Sequence, residues 1–293
     1  MSNVSISVPT YKMFMPFNEK VNLKLSDFCK TIRSNISSED LELFNKNISN
    51  LKINSSYFLK EKIFHNNFVV GEYLPFQNMI KINKYRFKGT IDHELLHVAS
   101  TYCTEDDKVY SGFSLQSLDN SIGSSSGVAL TEGYTEILRK RYFKKDADNE
   151  NSYDLEICFA LLIEFILGRE KMEKYYFNAD VEGFILGLSE YNNLNDVENF
   201  LKAVDDFTFC KNYQQANDAL KFTYRFIIDC YLNKEFKNNE DYNDKNKLLQ
   251  FFLFYKMLPQ EFDFKGKIYK IDVQDIVNNE IMISKSKNKR LSL

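Results

Sequence analysis

Two histidines on either side of a glutamate, His93-Glu94-Leu95-Leu96-His97, form the stretch whose residue types and spacing could do chemistry at a metal. On an α-helix, residues four apart lie on one face, so His93 and His97 can aim ring nitrogens at a common point. The chain holds three histidines, and two of them fall here in register. Two imidazoles and a third protein ligand around Zn²⁺ leave a position open for water, whose pKa falls to roughly 7 in such sites. Glu94 stands where it can take that proton. The competing reading is an amphipathic helix whose histidines are surface groups or satisfied core groups. It is disfavoured because buried imidazoles need partners, and polar groups are rarely set among Ile91, Leu95, Leu96 and Val98 without one.

A third ligand has to come from elsewhere. No histidine follows His97, and His65 lies upstream, so a carboxylate is required. Glu132 is the strongest candidate, because it sits in the helical stretch from Ala129 to about Phe143, which returns after a long non-helical segment. Glu136 is one turn further along the same face. It can accept a hydrogen bond from a ligand imidazole and so fix its tautomer. The plain alternative for each glutamate is a solvated helix position. The cofactor implied is one Zn²⁺ per chain, with His93, His97 and Glu132 as metal ligands and Glu94 as general base.

The elements that must position these groups are legible in outline. Residues 1 to about 20, with Pro9 and Pro16, read as an extended arm, and the stretch to about 50 as one or two helices with a start at Ser37-Ser38-Glu39-Asp40. Phe68 to Tyr73 and Met79 to Ile82 are β-rich runs around a turn containing Pro75, which predicts a hairpin ahead of the motif helix. An exposed edge of that hairpin could pair with an extended peptide; a purely structural hairpin is an equal reading. Thr90 is the expected N-cap of the motif helix, which should run to about Tyr102 or Cys103. Ser111 to Val128 carries seven serines and three glycines without helical period and reads as a long loop over a cleft, or as a tether. Beyond a charged break at 144–151, Leu155 to Leu167 is apolar nearly all round. It predicts a buried helix too short and too interrupted by glutamates to span a bilayer. Further helices are expected at about 169–178, 180–190, 195–208, 212–233 and 244–258, with a small β-element at 262–273 and a frayed basic tail at Lys285 to Arg290. No internal repeat is visible, so a domain boundary would fall near 145–152.

His93-Glu94-Leu95-Leu96-His97 followed by Leu130-Thr131-Glu132-Gly133-Tyr134-Thr135 resembles the gluzincin metallopeptidases. Their third zinc ligand lies in an L-x-E-G-aromatic-(Ala/Thr) segment in the aminopeptidase branch and in an E-x-x-x-D segment in thermolysin. The strand pair before the helix is similar to that of many zincins, and the resemblance covers residues 68 to 143. It implies an α+β, predominantly α fold: a zincin-like catalytic lobe over residues 1–150 with a small sheet and the active-site helix, then a helical lobe over 151–293 closing the cleft. It also implies a second oxyanion donor beside the metal. Related enzymes use Tyr or His there, and the candidates are Tyr110, Tyr175 and Tyr176, with His65 as a further one. Three features depart from the pattern. The interval to Glu132 is longer than in short-spacer members, Glu136 stands where thermolysin has aspartate, and no G-x-M-E-N exopeptidase segment occurs.

Composition bounds the rest. With 293 residues, 44% hydrophobic and 27% charged, the chain can bury a sizeable core. A net charge of −3 with scattered Lys and Arg argues against nucleic acid as a partner. Five cysteines without a C-x-x-C pair suggest neither a disulfide framework nor a thiolate metal site. No leader or membrane-length run is seen, so no membrane partner and a cytoplasmic location are the expectation, with leaderless export as the alternative. The reading that follows is a zinc endopeptidase acting on peptide or protein. Its rivals are a dedicated processing or regulatory protease that cuts one cellular protein and a zinc-braced, non-hydrolytic interaction protein.

Overall fold

The structure is a computed structural model, and it describes residues 17–56, 63–64, 67–68, 71–83, 90–117, 125–143 and 154–291. The predicted N-terminal arm, His65 and the boundary expected near 145–152 lie wholly or largely outside them. Helices dominate and the sheets are small, in keeping with an α+β, predominantly α fold. Helix α1 (Phe17–Asn35) and α2 (Glu42–Ser49) are joined by a 3₁₀ turn at Glu39–Leu41. At that turn Ser37 bonds the Asp40 carboxylate, so the acidic start legible in the sequence is where the chain re-enters helix.

A three-stranded sheet follows. Strand β1 (Lys52–Ser56) lies parallel to β5 (Met79–Asn83), which pairs antiparallel with β4 (Gly71–Leu74), while β2 (Ile63–Phe64) and β3 (Asn67–Phe68) make a separate short hairpin. The predicted β4–β5 hairpin is present. Its turn runs through Pro75 to Asn78, and Asn78 takes the left-handed conformation that asparagine tolerates, at φ 42°. The Asn78 side chain accepts from the Tyr73 hydroxyl at 3.0 Å and donates to the Asn47 carbonyl at 2.7 Å, which ties the hairpin to α2.

The motif helix, α3 (Thr90–Ala99), stops earlier than expected. The Asn47 side-chain amide donates to the carbonyls of Val98 and Thr101 at 2.9 and 2.6 Å, supplying partners that the end of a helix otherwise lacks. The chain then turns into strand β6 (Thr101–Cys103). This begins an antiparallel meander with β7 (Lys108–Ser111) and β8 (Ser114–Ser117), so the loop expected from Ser111 is strand as far as Ser117. Serines hid these strands: Thr101, Ser111 and Ser114 are buried, and their hydroxyls are satisfied within the meander, Thr101 bonding Ser111 at 2.7 Å and Ser114 the Ser111 carbonyl at 2.8 Å.

Helix α4 (Val128–Tyr142) packs along α5 (Asp154–Leu167), followed by α6 (Arg169–Phe177), α7 (Val181–Ser189), α8 (Leu194–Phe209), α9 (Tyr213–Glu235) and α10 (Lys245–Tyr255). Side chains of Asp180, Asn193, Asn212 and Asp244 cap α7 to α10, which is why these boundaries were readable. Strands β9 (Glu261–Phe264) and β10 (Lys267–Lys270) form the expected hairpin around Lys265 and Gly266, both at positive φ. The tail expected to fray is instead the last part of α11 (Val273–Leu291), a helix the sequence reading did not assign. Buried Ile276 and Val277 anchor it on one side, and Tyr242 bonds Ser284 at 2.6 Å while Lys287 reaches Asp229 at 3.4 Å. One continuous buried cluster runs from Phe28 in α1 to Val277 in α11, and no helix among the described residues is long and apolar enough to cross a membrane.

Gly133 sets how closely α4 and α5 approach. A Cβ there would lie 2.4 Å from the Glu156 carbonyl group, which is backbone and cannot swing aside. Alanine favours a helix over glycine by about 1 kcal/mol, but overpacking of a core contact costs about 1–3 kcal/mol. Gly133→Ala is therefore expected to lower unfolding stability despite its better helix propensity. Denaturant titration in which this variant matches or exceeds the parent would show that the α4–α5 contact is looser than described.

Candidate metal centre

Helix α3 presents His93 and His97 on one face, and α4 brings Glu132 to meet them. The Glu132 carboxylate lies 3.0 Å from His93 Nε2 and 3.4 Å from His97 Nε2, and the two Nε2 atoms are 3.0 Å apart. One ligand atom from each residue falls within 4.8 Å of the others, so His93, His97 and Glu132 form a group able to hold a metal ion. Ligands of a tetrahedral ion with bonds of roughly 2.0–2.1 Å stand about 3.3 Å apart, close to the spacings observed here. The donor set of two imidazoles and one carboxylate fits zinc and leaves a coordination position for a non-protein ligand.

The electrostatics suit a cation. Burial disfavours a charged His93, yet hydrogen bonds from its ring to Glu132 and Glu136 outweigh it and hold that ring's pKa well above its ordinary value. For Glu132 burial again works against charge, but His97 and His93 pull the carboxyl well below the usual range. Glu136 reaches His93 Nδ1 at 2.7 Å, the position expected from its spacing. With a metal ion bound, an acceptor there would keep the proton on Nδ1 and leave the Nε2 lone pair for the ion.

Glu94 lies on the strand side of α3 and is 7% exposed. Its carboxyl is pushed up, first by burial and against the pull of His93 and His97, and it accepts a hydrogen bond from the Tyr73 amide of β4. That approach depends on Gly71, where a Cβ would come 2.6 Å from Thr90 Cγ2 and 3.0 Å from Glu94 Oε1. The strand before the helix thus lies directly over the proposed base.

Around Glu132, each residue of the motif segment has a visible task. Leu130 is buried, and the Thr131 hydroxyl accepts from the Phe113 amide at 3.1 Å, joining α4 to the meander. Gly133 admits α5, Tyr134 donates to Glu164 at 2.7 Å, and Thr135 shares a 2.7 Å bond with the Tyr176 hydroxyl. This places the three tyrosines considered as oxyanion donors. Tyr176 is fully buried behind α4, its ring against Phe113 and Tyr134 and its hydroxyl on Thr135, so it braces the helix. Tyr175 carries its hydroxyl against Gly187 of α7, and Tyr110 stacks on Tyr102 with ring centroids 4.7 Å apart. Tyr176 is within electrostatic reach of Glu132 and Glu136, and His65 lies outside the described residues. All five cysteines are free thiols, Cys230 buried and the other four half-buried.

Several contributors were missed in the sequence. Arg139 grips Glu136, a pair whose i, i+3 spacing was readable. Asp92, almost completely buried beside His93, bonds Lys24 of α1 at 3.3 Å. Asp205, from α8, accepts from the Ala129 amide at 2.7 Å and from those of Gly127 and Val128, filling the N-terminus of α4. Neither of these long-range partners leaves a local signal. Compared with known proteins, the chain matches no family model, and no curated protein or solved structure gives a match.

Asp205 also yields a pH prediction. Burial raises its carboxyl to about 6 against the pull of the three amides, and its Oδ2 has no hydrogen-bond partner. A folded-state pKa above the unfolded value means the favourable protonated form is fully present at low pH and is lost as pH rises through about 6. Relative to Asp205→Asn, the parent should therefore lose stability between pH 4 and 7.5, by on the order of 3 kcal/mol. Denaturant midpoints of both proteins across that range check it, and a constant gap would refute it.

Proposed function

We propose that this chain is a zinc-dependent peptidase that cleaves internal peptide bonds, with His93, His97 and Glu132 as the metal ligands and Glu94 as the general base. The observation that carries this reading is the convergence of three ligand atoms within 4.8 Å from two helices, with Glu94 adjoining them on α3. Zinc held there supplies a Lewis acid for the scissile carbonyl and lowers the pKa of water to roughly 7. Glu94 then takes a proton from the attacking water and returns it to the leaving amine. A carboxyl raised by burial is better matched to that exchange near neutral pH than an exposed one. Strand β4 lies at the edge of its sheet, beside Glu94, and an extended substrate chain can add to such an edge. The gluzincin resemblance of the two motif segments agrees with this assignment.

A zinc-braced protein without activity is the second reading, since the metal group lies between two helices of the core. Against it stand a set of three protein ligands, where structural zinc sites are usually closed by four, and the costly burial of Glu94, which a brace does not need.

Two sets of measurements decide. Metal analysis of chelator-free protein should give one zinc per chain for the parent and none for His93→Ala or Glu132→Ala, and zinc in neither parent nor variants would defeat the proposal. Glu94→Gln should keep the metal and lower peptide hydrolysis by at least a hundredfold. Equal cleavage by that variant would remove Glu94 from the mechanism, whereas collapse of the parent fold on chelation, with no hydrolysis of any peptide in a diverse library, would favour the brace.

A further inference from the structure

The Glu136 side chain has two methylenes and three torsions, so on its own it would hold an imidazole loosely and lose appreciable rotamer entropy in doing so. Its surroundings remove that freedom. Arg139, one turn along α4 and almost completely buried, donates from Nε to both Glu136 oxygens at 3.1 and 2.9 Å and brings Nη2 within 2.8 Å of Oε2. The fork thus occupies Oε2 and the flank of Oε1, leaving Oε1 aimed at His93 Nδ1 at 2.7 Å. Planar guanidinium donors fix a carboxylate in orientation as well as in charge, which an ammonium does not. The same guanidinium is within electrostatic reach of Asp92, the residue before His93 on α3, so one cation addresses a carboxylate on each of the two ligand-bearing helices.

We propose that Arg139 is a positioning residue for the metal centre, acting through Glu136 to hold the His93 ring in the orientation and tautomer that present Nε2 to the ion. This rests on the zinc reading above. A residue acting only through Glu136 makes a distinctive claim: once Glu136 can no longer bond His93 as a carboxylate, removing Arg139 should cost little more in metal affinity. A merely structural arginine would lower fold stability and leave affinity in the folded protein unchanged.

The test is zinc affinity of the full chain by competition with a chromophoric chelator, for the parent, Arg139→Met, Arg139→Lys, Glu136→Gln and the Glu136→Gln/Arg139→Met double variant. Thermal unfolding of each metal-free protein is followed in parallel. Loss of an outer partner of a metal-bound histidine typically weakens binding about 10–100-fold. Glu136→Gln should fall in that range, Arg139→Met should weaken binding about tenfold, and Arg139→Lys should recover part of the loss because it keeps charge without the fork. The double variant should bind within about threefold of Glu136→Gln alone. Affinities for Arg139→Met and Arg139→Lys equal to the parent's, or losses that simply multiply in the double variant, would overturn the proposal while leaving the zinc site standing. Should Arg139→Met fail to fold, Arg139→Lys decides: parental affinity overturns the proposal, weakened affinity supports it. A parent chain that takes up no zinc would overturn the site and the positioning role together.

Discussion

Two glutamates of one helix, turned inward against two histidines of another, are the constraint on which this molecule depends. Glu132 and Glu136 lie on the same face of α4, and burying two carboxylates side by side is strongly unfavourable unless positive charge meets them. The chain provides that charge in graded form. Arg139 binds Glu136 outright, the His93 ring lies between the two carboxylates, and His97 comes to Glu132 from the next turn of α3. Such an arrangement makes little sense as packing, because replacing buried ion pairs with apolar side chains is often neutral or stabilising. It makes sense where a cation is to be held.

Holding α3 and α4 in register is the work of residues outside the motif. Asn47 donates to the Val98 carbonyl in the last turn of α3 and to Thr101 just beyond it, and Asn78 ties the same residue to the hairpin whose strand covers Glu94. Gly71 allows that strand to lie close, and Gly133 allows α4 to settle on α5, so two absent side chains fix the depth of the site from opposite sides. Asp205 fills the N-terminus of α4 from α8. The buried cluster is continuous from α1 to α11, and α8 supplies a contact at the start of α4.

What the sequence disclosed follows from how local each signal is. The motif pair and the Glu136 contact were legible because helical spacing converts position into direction, and the structure brings His93, His97 and Glu132 into one group able to hold a metal ion, with Glu136 against His93. The caps of α7 to α10 are equally local. The strands from Thr101 to Ser117 escaped because their buried positions, Val109 apart, are Thr and Ser, which read as loop until their hydroxyls are seen paired across the meander. The end of α3 escaped because Asn47, more than forty residues away, determines it. Helix α11 was lost among lysines and asparagines, and its Ile281-Met282-Ile283 run, with Met282 and Ile283 exposed, blurs any one-sided apolar period. The choice among eighteen tyrosines depended on which elements pack behind α4, and no spacing rule encodes that.

Glu94 and Glu132 are chemically the same side chain, on neighbouring helices, and their surroundings drive them apart. Glu132 faces both imidazoles and is held ionised, as a ligand must be; Glu94 is buried under β4 with a single backbone donor, and its carboxyl is raised. Opposed shifts between two like groups are the usual means by which one site assigns separate roles to them. A permanent anion suits holding an ion, and a group nearer its proton-exchange point suits moving a proton. The division is set by backbone placement: α4 delivers Glu132 between the rings, and the absence of a side chain at Gly71 lets a strand close over Glu94. Burial thereby raises one carboxyl while charge is brought to the other, and it is on this asymmetry, more than on the five-residue motif itself, that the proposed division of roles rests.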